Sequence, residues 1–230
     1  MPEFCHLHCH TPFSLLDGAS HLGPLMDKAK ADGQKGLAMT DHGNMFGAFK
    51  FVSEAKKRDL KAIIGCEFYL VEDRHIKSFQ KSLGQRDVRY HQLLLAKNAQ
   101  GYINLSKLCS LGYIDGQYGK FPRIDKELVL QYHEGLIATS CCLAAEIPRA
   151  IQSGNLELAE EKLKWWLDLF QEDFYIEIMR HRGLEKLNNT DLSQEDVNQQ
   201  LLKFAAKYNI KTIVSNDAHY VNEEDWKSVV

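Results

Sequence analysis

The sequence holds no run approaching the roughly 18 consecutive apolar residues that a bilayer span requires, and its opening, MPEFCHLHCH, has neither the basic nor the apolar region of a secretory leader. Both absences point away from the membrane and toward a cytoplasmic protein. A large charge excess is missing as well: 28 Lys and Arg stand against 31 Asp and Glu, for a net charge of −3. That balance gives no global attraction for nucleic acid, so contact with DNA would need a local basic patch or ions that hold phosphate directly. Nor is a disulfide frame expected, because six cysteines in 230 residues without a leader read as reduced thiols.

What is present is an ordinary globular composition, 44% hydrophobic and 26% charged, sufficient for one core and a single domain over residues 1–230. Short apolar, β-branched runs recur at 3–7, 36–39, 62–70, 89–96, 135–139, 174–178 and 212–214. Helical periodicity occupies 22–31, 45–58, 104–111, 156–169 and 197–208 between them. Asn155 and Ser193 are placed to cap the last two helices. The alternation predicts an α/β fold of parallel strands joined by helices, an open sheet or a closed barrel. Seven repeats favour a distorted seven-stranded barrel.

In such a barrel the carboxyl ends of the strands form one rim, where residues distant in sequence converge. The strand ends here carry His8 and His10, Asp41 and His42, Glu67, Cys142, His181, and Asp217 with His219, while His91 opens its strand. In His6-Leu7-His8-Cys9-His10 the alternate imidazoles share a face if the strand continues, and two of them can grip one ion. Taken singly, such a pair is equally a polar strand end. Thr40-Asp41-His42-Gly43 sets a carboxylate beside an imidazole, a ligand with an orienting partner or a helix cap with a solvated histidine. Glu67 lies in an otherwise apolar strand, where its charge would be costly without a cation or a hydrogen bond. His91 alone would read as a core-edge histidine. Of the neighbours Cys141 and Cys142, only one is expected to point inward, as a soft ligand. Mixed nitrogen and oxygen donors suit zinc, manganese or iron.

These residues resemble the polymerase and histidinol phosphatase family, in which the opening motif is similar to His8-X-His10 followed by Ser14, the next to Thr40-Asp41-His42 and the last to Asp217-X-His219. Within it, Phe13-Ser14-Leu15-Leu16-Asp17-Gly18, Ile64-Gly65-Cys66-Glu67 and Asn216-Asp217-Ala218-His219-Tyr220 are similar to the amino-terminal domains of bacterial replicative polymerases. The resemblance implies a (β/α)7 barrel with up to three divalent metals at the carboxyl ends of its strands. One would fall to His8, His10, Glu67 and Asp217, another to Glu67, His91 and Cys142, and a third to Asp17, His42 and His219. Asp17 and Cys142 stand where other members have histidine. His6 and Asp41 would lie behind these ligands, with Arg123, Arg180 and His181 there or against a phosphate, surface charge being the alternative reading.

The implied activity is metal-dependent 3′–5′ exonucleolytic hydrolysis at a DNA primer end, with the remainder of the polymerase chain as the covalent partner. The close of the sequence, Asp225-Trp226-Lys227-Ser228-Val229-Val230, is accordingly expected to continue into it. Two alternatives stay open: a metal-binding scaffold that docks a separate proofreading exonuclease subunit, and a stand-alone phosphatase of the histidinol phosphate type.

Overall fold

The computed structural model describes residues 4–80, 82, 84–187 and 190–228. Glu3, with which the first expected strand begins, lies outside the described residues, as do Val229 and Val230. The strands are β1 (Gly36–Met39), β2 (Lys61–Leu70), β3 (Tyr90–Ala96), β4 (Arg123–Ile124), β5 (Leu136–Thr139), β6 (Phe174–Met179) and β7 (Thr212–Ser215). The helices are α1 (Leu22–Ala31), α2 (Ala48–Lys57), α3 (Ala99–Ile114), α4 (Lys126–Tyr132), α5 (Glu146–Gln152), α6 (Leu156–Phe170) and α7 (Gln194–Tyr208). Six strands neighbour one another in the order β1-β2-β3-β5-β6-β7, and β4 pairs alongside β2.

The gap between β7 and β1 is closed by the opening segment. His6 bridges to Leu37 of β1 on one side and Cys9 bridges to Ala218, beyond β7, on the other. Main-chain hydrogen bonds run from Ala38 to His6 (2.7 Å) and from His10 to Ala218 (2.8 Å). The opening segment and six strands thus make the seven staves of a distorted barrel. Its first stave forms single bridges with a bend at His8, so the alternation expected along it is not maintained.

One expectation of direction fails. β3 runs antiparallel to both β2 and β5, and among the described residues the connection from β2 to β3 carries no α-helix. A chain that turns back directly needs no crossover. The reversal also explains His91, because the start of an antiparallel strand lies at the same rim as the ends of the parallel ones.

Elsewhere the sequence signals translate directly. Asn155 accepts from the Leu158 N–H to cap α6, and Ser193 with Asp196 forms a reciprocal capping box on α7. Helix α6 turns Ala159, Leu163, Trp166 and Phe170 into the core at the spacing of one helical face. α3 begins at Ala99, capped by Asn98, rather than at 104. The short elements β4, α4 and α5 are too brief to show a period in the sequence.

Arg123, a candidate for phosphate contact, is fully buried and committed elsewhere. It donates to the carbonyls of Gly116 (2.8 Å), Arg74 (3.0 Å) and Ile76 (2.9 Å) and to Asp87 (2.8 Å). It therefore ties the connection between β2 and β3 to β4, and the Arg74–Asp125 ion pair (2.8 Å) fastens the same place. Arg123→Met should lower the unfolding free energy in urea by about 3–5 kcal/mol, the usual consequence of breaking a buried pair. Bound metal in the folded fraction should stay unchanged; a variant as stable as the parent would refute this role.

Candidate metal centre

Glu67 is buried in the barrel, and its two carboxylate oxygens face opposite groups of side chains. Oε1 lies 3.4 Å from His8 Nε2 and 3.0 Å from His91 Nδ1. Oε2 lies 3.1 Å from His10 Nε2 and 2.9 Å from His42 Nδ1. Asp217 Oδ1 links the two groups, 3.3 Å from His8 Nε2 and 3.1 Å from His10 Nε2. A third group forms around Asp17 Oδ2, 3.0 Å from His42 Nε2 and 2.9 Å from His219 Nε2. With Cys142 Sγ 3.5 Å from Glu67 Oε1, all nine candidate ligands converge, in overlapping sets.

Backbone structure makes this possible. Glu67 and His42 form a parallel bridge, with hydrogen bonds from the Glu67 N–H to the Asp41 carbonyl (3.2 Å) and from the Gly43 N–H to the Glu67 carbonyl (2.9 Å). Gly43 has φ +64°, which only a residue without Cβ adopts freely, and the chain turns there to leave His42 at the rim. Asp17 is brought in by a tight loop: a Cβ on Gly18 would sit 2.1 Å from the Thr11 carbonyl oxygen. Asp217 itself has φ +49°, a conformation that costs about 1–3 kcal/mol and concentrates at functional sites.

A further layer of hydrogen bonds fixes three of the imidazoles. Asp41 accepts from the Thr11 N–H (2.6 Å) and from the hydroxyls of Thr11 (2.7 Å) and Ser14 (3.1 Å). With its proton given to Asp41, Ser14 Oγ accepts from His10 Nδ1 (2.8 Å) and from the His42 N–H (2.9 Å). His8 Nδ1 donates to Glu177 Oε1 (3.0 Å), and His219 Nδ1 donates to the Asp217 carbonyl (2.8 Å). In each case the proton is on Nδ1, and the Nε2 lone pair faces the cluster, the arrangement that metal-binding histidines need. Asp41 thus reaches His10 through Ser14.

Sequence reasoning missed Glu177. This buried β6 carboxylate also accepts from the hydroxyls of Thr139 and Ser215. The signal was present, since Phe-Tyr-Ile-Glu-Ile-Met sets a charge in an apolar strand just as Glu67 is set. Cys141 was missed as well: with φ +57° its Sγ reaches 3.4 Å from Glu67 Oε1, beside Cys142 Sγ at 3.5 Å. The expectation that only one cysteine points inward is therefore wrong.

Two other candidates stand outside these sets. The His6 N–H donates to Gln34 (3.0 Å) and its ring is edge-on to Phe4; it lines a separate cleft with Leu25 and Lys28 of α1 and with Asp217 and His219. His181 stands at the mouth of a cleft of about 330 Å³ lined also by Asp17, His42, His91, Cys142 and His219. Both of its ring nitrogens are engaged, one with the Asn216 carbonyl and one with Gln194. Arg180, exposed, pairs with Glu195.

Electrostatics shows what the cluster lacks. Burial would push the Glu67 carboxyl up, yet His42, His8 and His91 hold it well below the ordinary value. Burial likewise opposes the charge on His42 and His91, but Glu67 overcomes it with help from Asp17 and Cys142 respectively, raising them to about 9 and about 10. The carboxylates thus demand positive charge. Among the described residues nine buried side-chain nitrogens and oxygens have no hydrogen bond, and six of them are here: His8 Nε2, His10 Nε2, Asp17 Oδ2, His42 Nδ1, Glu67 Oε2 and Asp217 Oδ1. Buried polar atoms are rarely left so. Donors about 2.1 Å from one tetrahedral ion stand roughly 3.4 Å apart, near the separations seen between these atoms. The donor set fits divalent cations.

Glu177→Gln should weaken retention of the ion beside His8 by about 10–100-fold, the range typical of residues that orient a ligand. Competition with a graded chelator reads this out, and retention equal to the parent's would remove Glu177 from the site.

A model of the PHP domain matches residues 6–181. Over 97% of its length the chain is 43% identical to DNA polymerase III subunit alpha of Borreliella burgdorferi and 44% identical to that of Thermus aquaticus, spanning 18% of either relative. An inferred metal-dependent phosphoesterase of Bifidobacterium adolescentis has a similar fold, with TM-score 0.61 at 14% identity, covering all of this chain and 96% of that one.

Proposed function

The chain belongs to the PHP domain family, and from that premise we propose that it is the metal-dependent phosphoesterase domain of a DNA polymerase III alpha chain, hydrolysing nucleotides from a 3′ primer end. The observation that carries this reading is the set of unpartnered, buried donor atoms gathered around Glu67. Its polymerase context is supported by the 43–44% identity to the two alpha subunits.

The proposed ligands are His8, His10, Glu67 and Asp217 for one ion, Glu67, His91 and Cys142 for another, and Asp17, His42 and His219 for a third. When bound, zinc, manganese or iron would supply Lewis-acid charge to neutralise a phosphodiester and to acidify a water. The protein's own part is positioning. Glu177, Ser14 and the Asp217 carbonyl hold His8, His10 and His219 in one tautomer, so no reorganisation is needed when substrate arrives. The cleft of about 330 Å³ is of the size that small ligands occupy. The proposed partners are the primer end and the rest of the polymerase chain.

The test pairs elemental analysis of the purified chain with release of nucleotide from 3′-labelled single-stranded DNA, with and without chelator. Two or three bound ions with chelator-sensitive release are expected. Bound ions without release would instead favour a scaffold that docks a proofreading subunit. Absence of metal would overturn the centre itself.

Glu67→Ala should lose at least two ions together and abolish hydrolysis, because both carboxylate oxygens face donor groups. Loss of a single ion would reject bridging by Glu67. His75→Ala, at an exposed position whose N–H bonds Asp73, should match the parent in both measurements.

A further inference from the structure

Cys141 occupies a backbone conformation unsuited to it. Its φ of +57° lies in the left-handed region, where a Cβ is crowded and glycine is the usual occupant. The conformation is held in place, since the Cys141 N–H donates to Thr139 Oγ1 (3.0 Å) and the Thr139 hydroxyl donates to Glu177. Its effect is to bring two consecutive side chains to one point. The sulfurs of Cys141 and Cys142 lie 3.4 Å and 3.5 Å from the same Glu67 Oε1, which is also 3.0 Å from His91 Nδ1. Cys142 Sγ is in turn 3.6 Å from His91 Nδ1. Cys141 is only 2% exposed, and Glu67, fully buried, has its other oxygen without a hydrogen bond.

Packing alone does not account for a thiol here. Although Cys141 packs among apolar neighbours including Ala38, Leu93, Leu95 and Ala145, its sulfur is turned to the Glu67 carboxylate, and a smaller residue would relieve the backbone.

We infer that Cys141 is a second sulfur ligand for the ion between Glu67, His91 and Cys142, and that the pair of thiols makes this position selective for zinc over manganese or magnesium. The inference rests on reading the cluster as a metal centre and is independent of which bond that centre hydrolyses. Two sulfurs, one imidazole nitrogen and one carboxylate oxygen make a four-donor set of the kind zinc takes, whereas magnesium and manganese prefer oxygen-rich surroundings. On uptake each thiol releases its proton to solvent and each sulfur forms one bond to the ion.

The experiment loads the full chain with cobalt(II) in place of zinc and records sulfur-to-cobalt charge-transfer absorption, which scales with the number of bound thiolates. Zinc affinity is measured in parallel by chelator competition, and the metal-free melting temperature by calorimetry. In Cys141→Gly the absorption should fall by about half and the affinity of one zinc site by about 10–100-fold, at least the loss seen when a supporting residue is removed. The metal-free chain should melt no lower than the parent, because glycine accepts the backbone. Cys141→Ser, which keeps a side chain at this φ, should show the same spectral loss.

Unchanged absorption and affinity in both variants would overturn the inference, as would a lower metal-free melting temperature in the glycine variant accompanied by loss of every ion, which marks a packing residue. Failure of the parent to take up cobalt would sink the metal centre altogether. Two-thiolate absorption in a chain that releases no nucleotide would sink only the hydrolytic reading.

Discussion

An ionised carboxylate at the centre of an apolar barrel is the constraint around which this molecule is arranged. Moving a carboxylate out of water costs several kcal/mol even after relaxation, and Glu67 is entirely withdrawn from solvent. Four imidazoles at 2.9–3.4 Å answer that cost. They arrive from the opening segment, from the turn after β1 and from the start of β3. Glu67 stands on β2, the long strand that pairs with β1, β3 and β4, so its position is held from three sides. The staves can keep their register only with these side chains meeting at one rim.

The layer behind the imidazoles is as specific as the imidazoles themselves. Asp41 acts through Ser14 on His10, Glu177 on His8, and the carbonyl of Asp217 on His219. Each contact decides which nitrogen carries a proton, and so which one is free. The residues of this layer lie on the same strand ends and loops as the candidate ligands, so orientation and ligation are parts of one folding event.

Much of the fold was legible in the sequence because its signals are local. Alternating apolar runs and helical periods located six of the strands and most helices, and the capping residues Asn155 and Ser193 marked helix starts correctly. Most of the candidate ligands stood out for a different reason, as histidines, carboxylates and a cysteine at strand ends, whereas His91 opens its strand and Asp17 came from the family resemblance alone. What escaped depends on facts that spacing does not carry. The reversal of β3 is set by a direct return of the chain, and only in hindsight does His91 at a strand start report it. Arg123 was misread because charge alone does not tell whether an arginine's donors are already consumed by carbonyls. Cys141 was misread because the rule that neighbouring side chains diverge assumes an ordinary φ. Glu177 was within reach, since the reasoning applied to Glu67 fits it unchanged.

The closing stave has a consequence for how the molecule comes to exist. His8 and His10 sit on a segment whose strand partners are β1, close by in sequence, and Ala218, almost the whole chain away. Pairings of such separation are slow to form because loop closure precedes any gain from contact. On a ribosome, the imidazoles made first must therefore wait, with the barrel gaping between its first and last staves, until Asp217 and His219 emerge. The site that His8, His10 and Asp217 share is complete only once the two ends of the barrel have met.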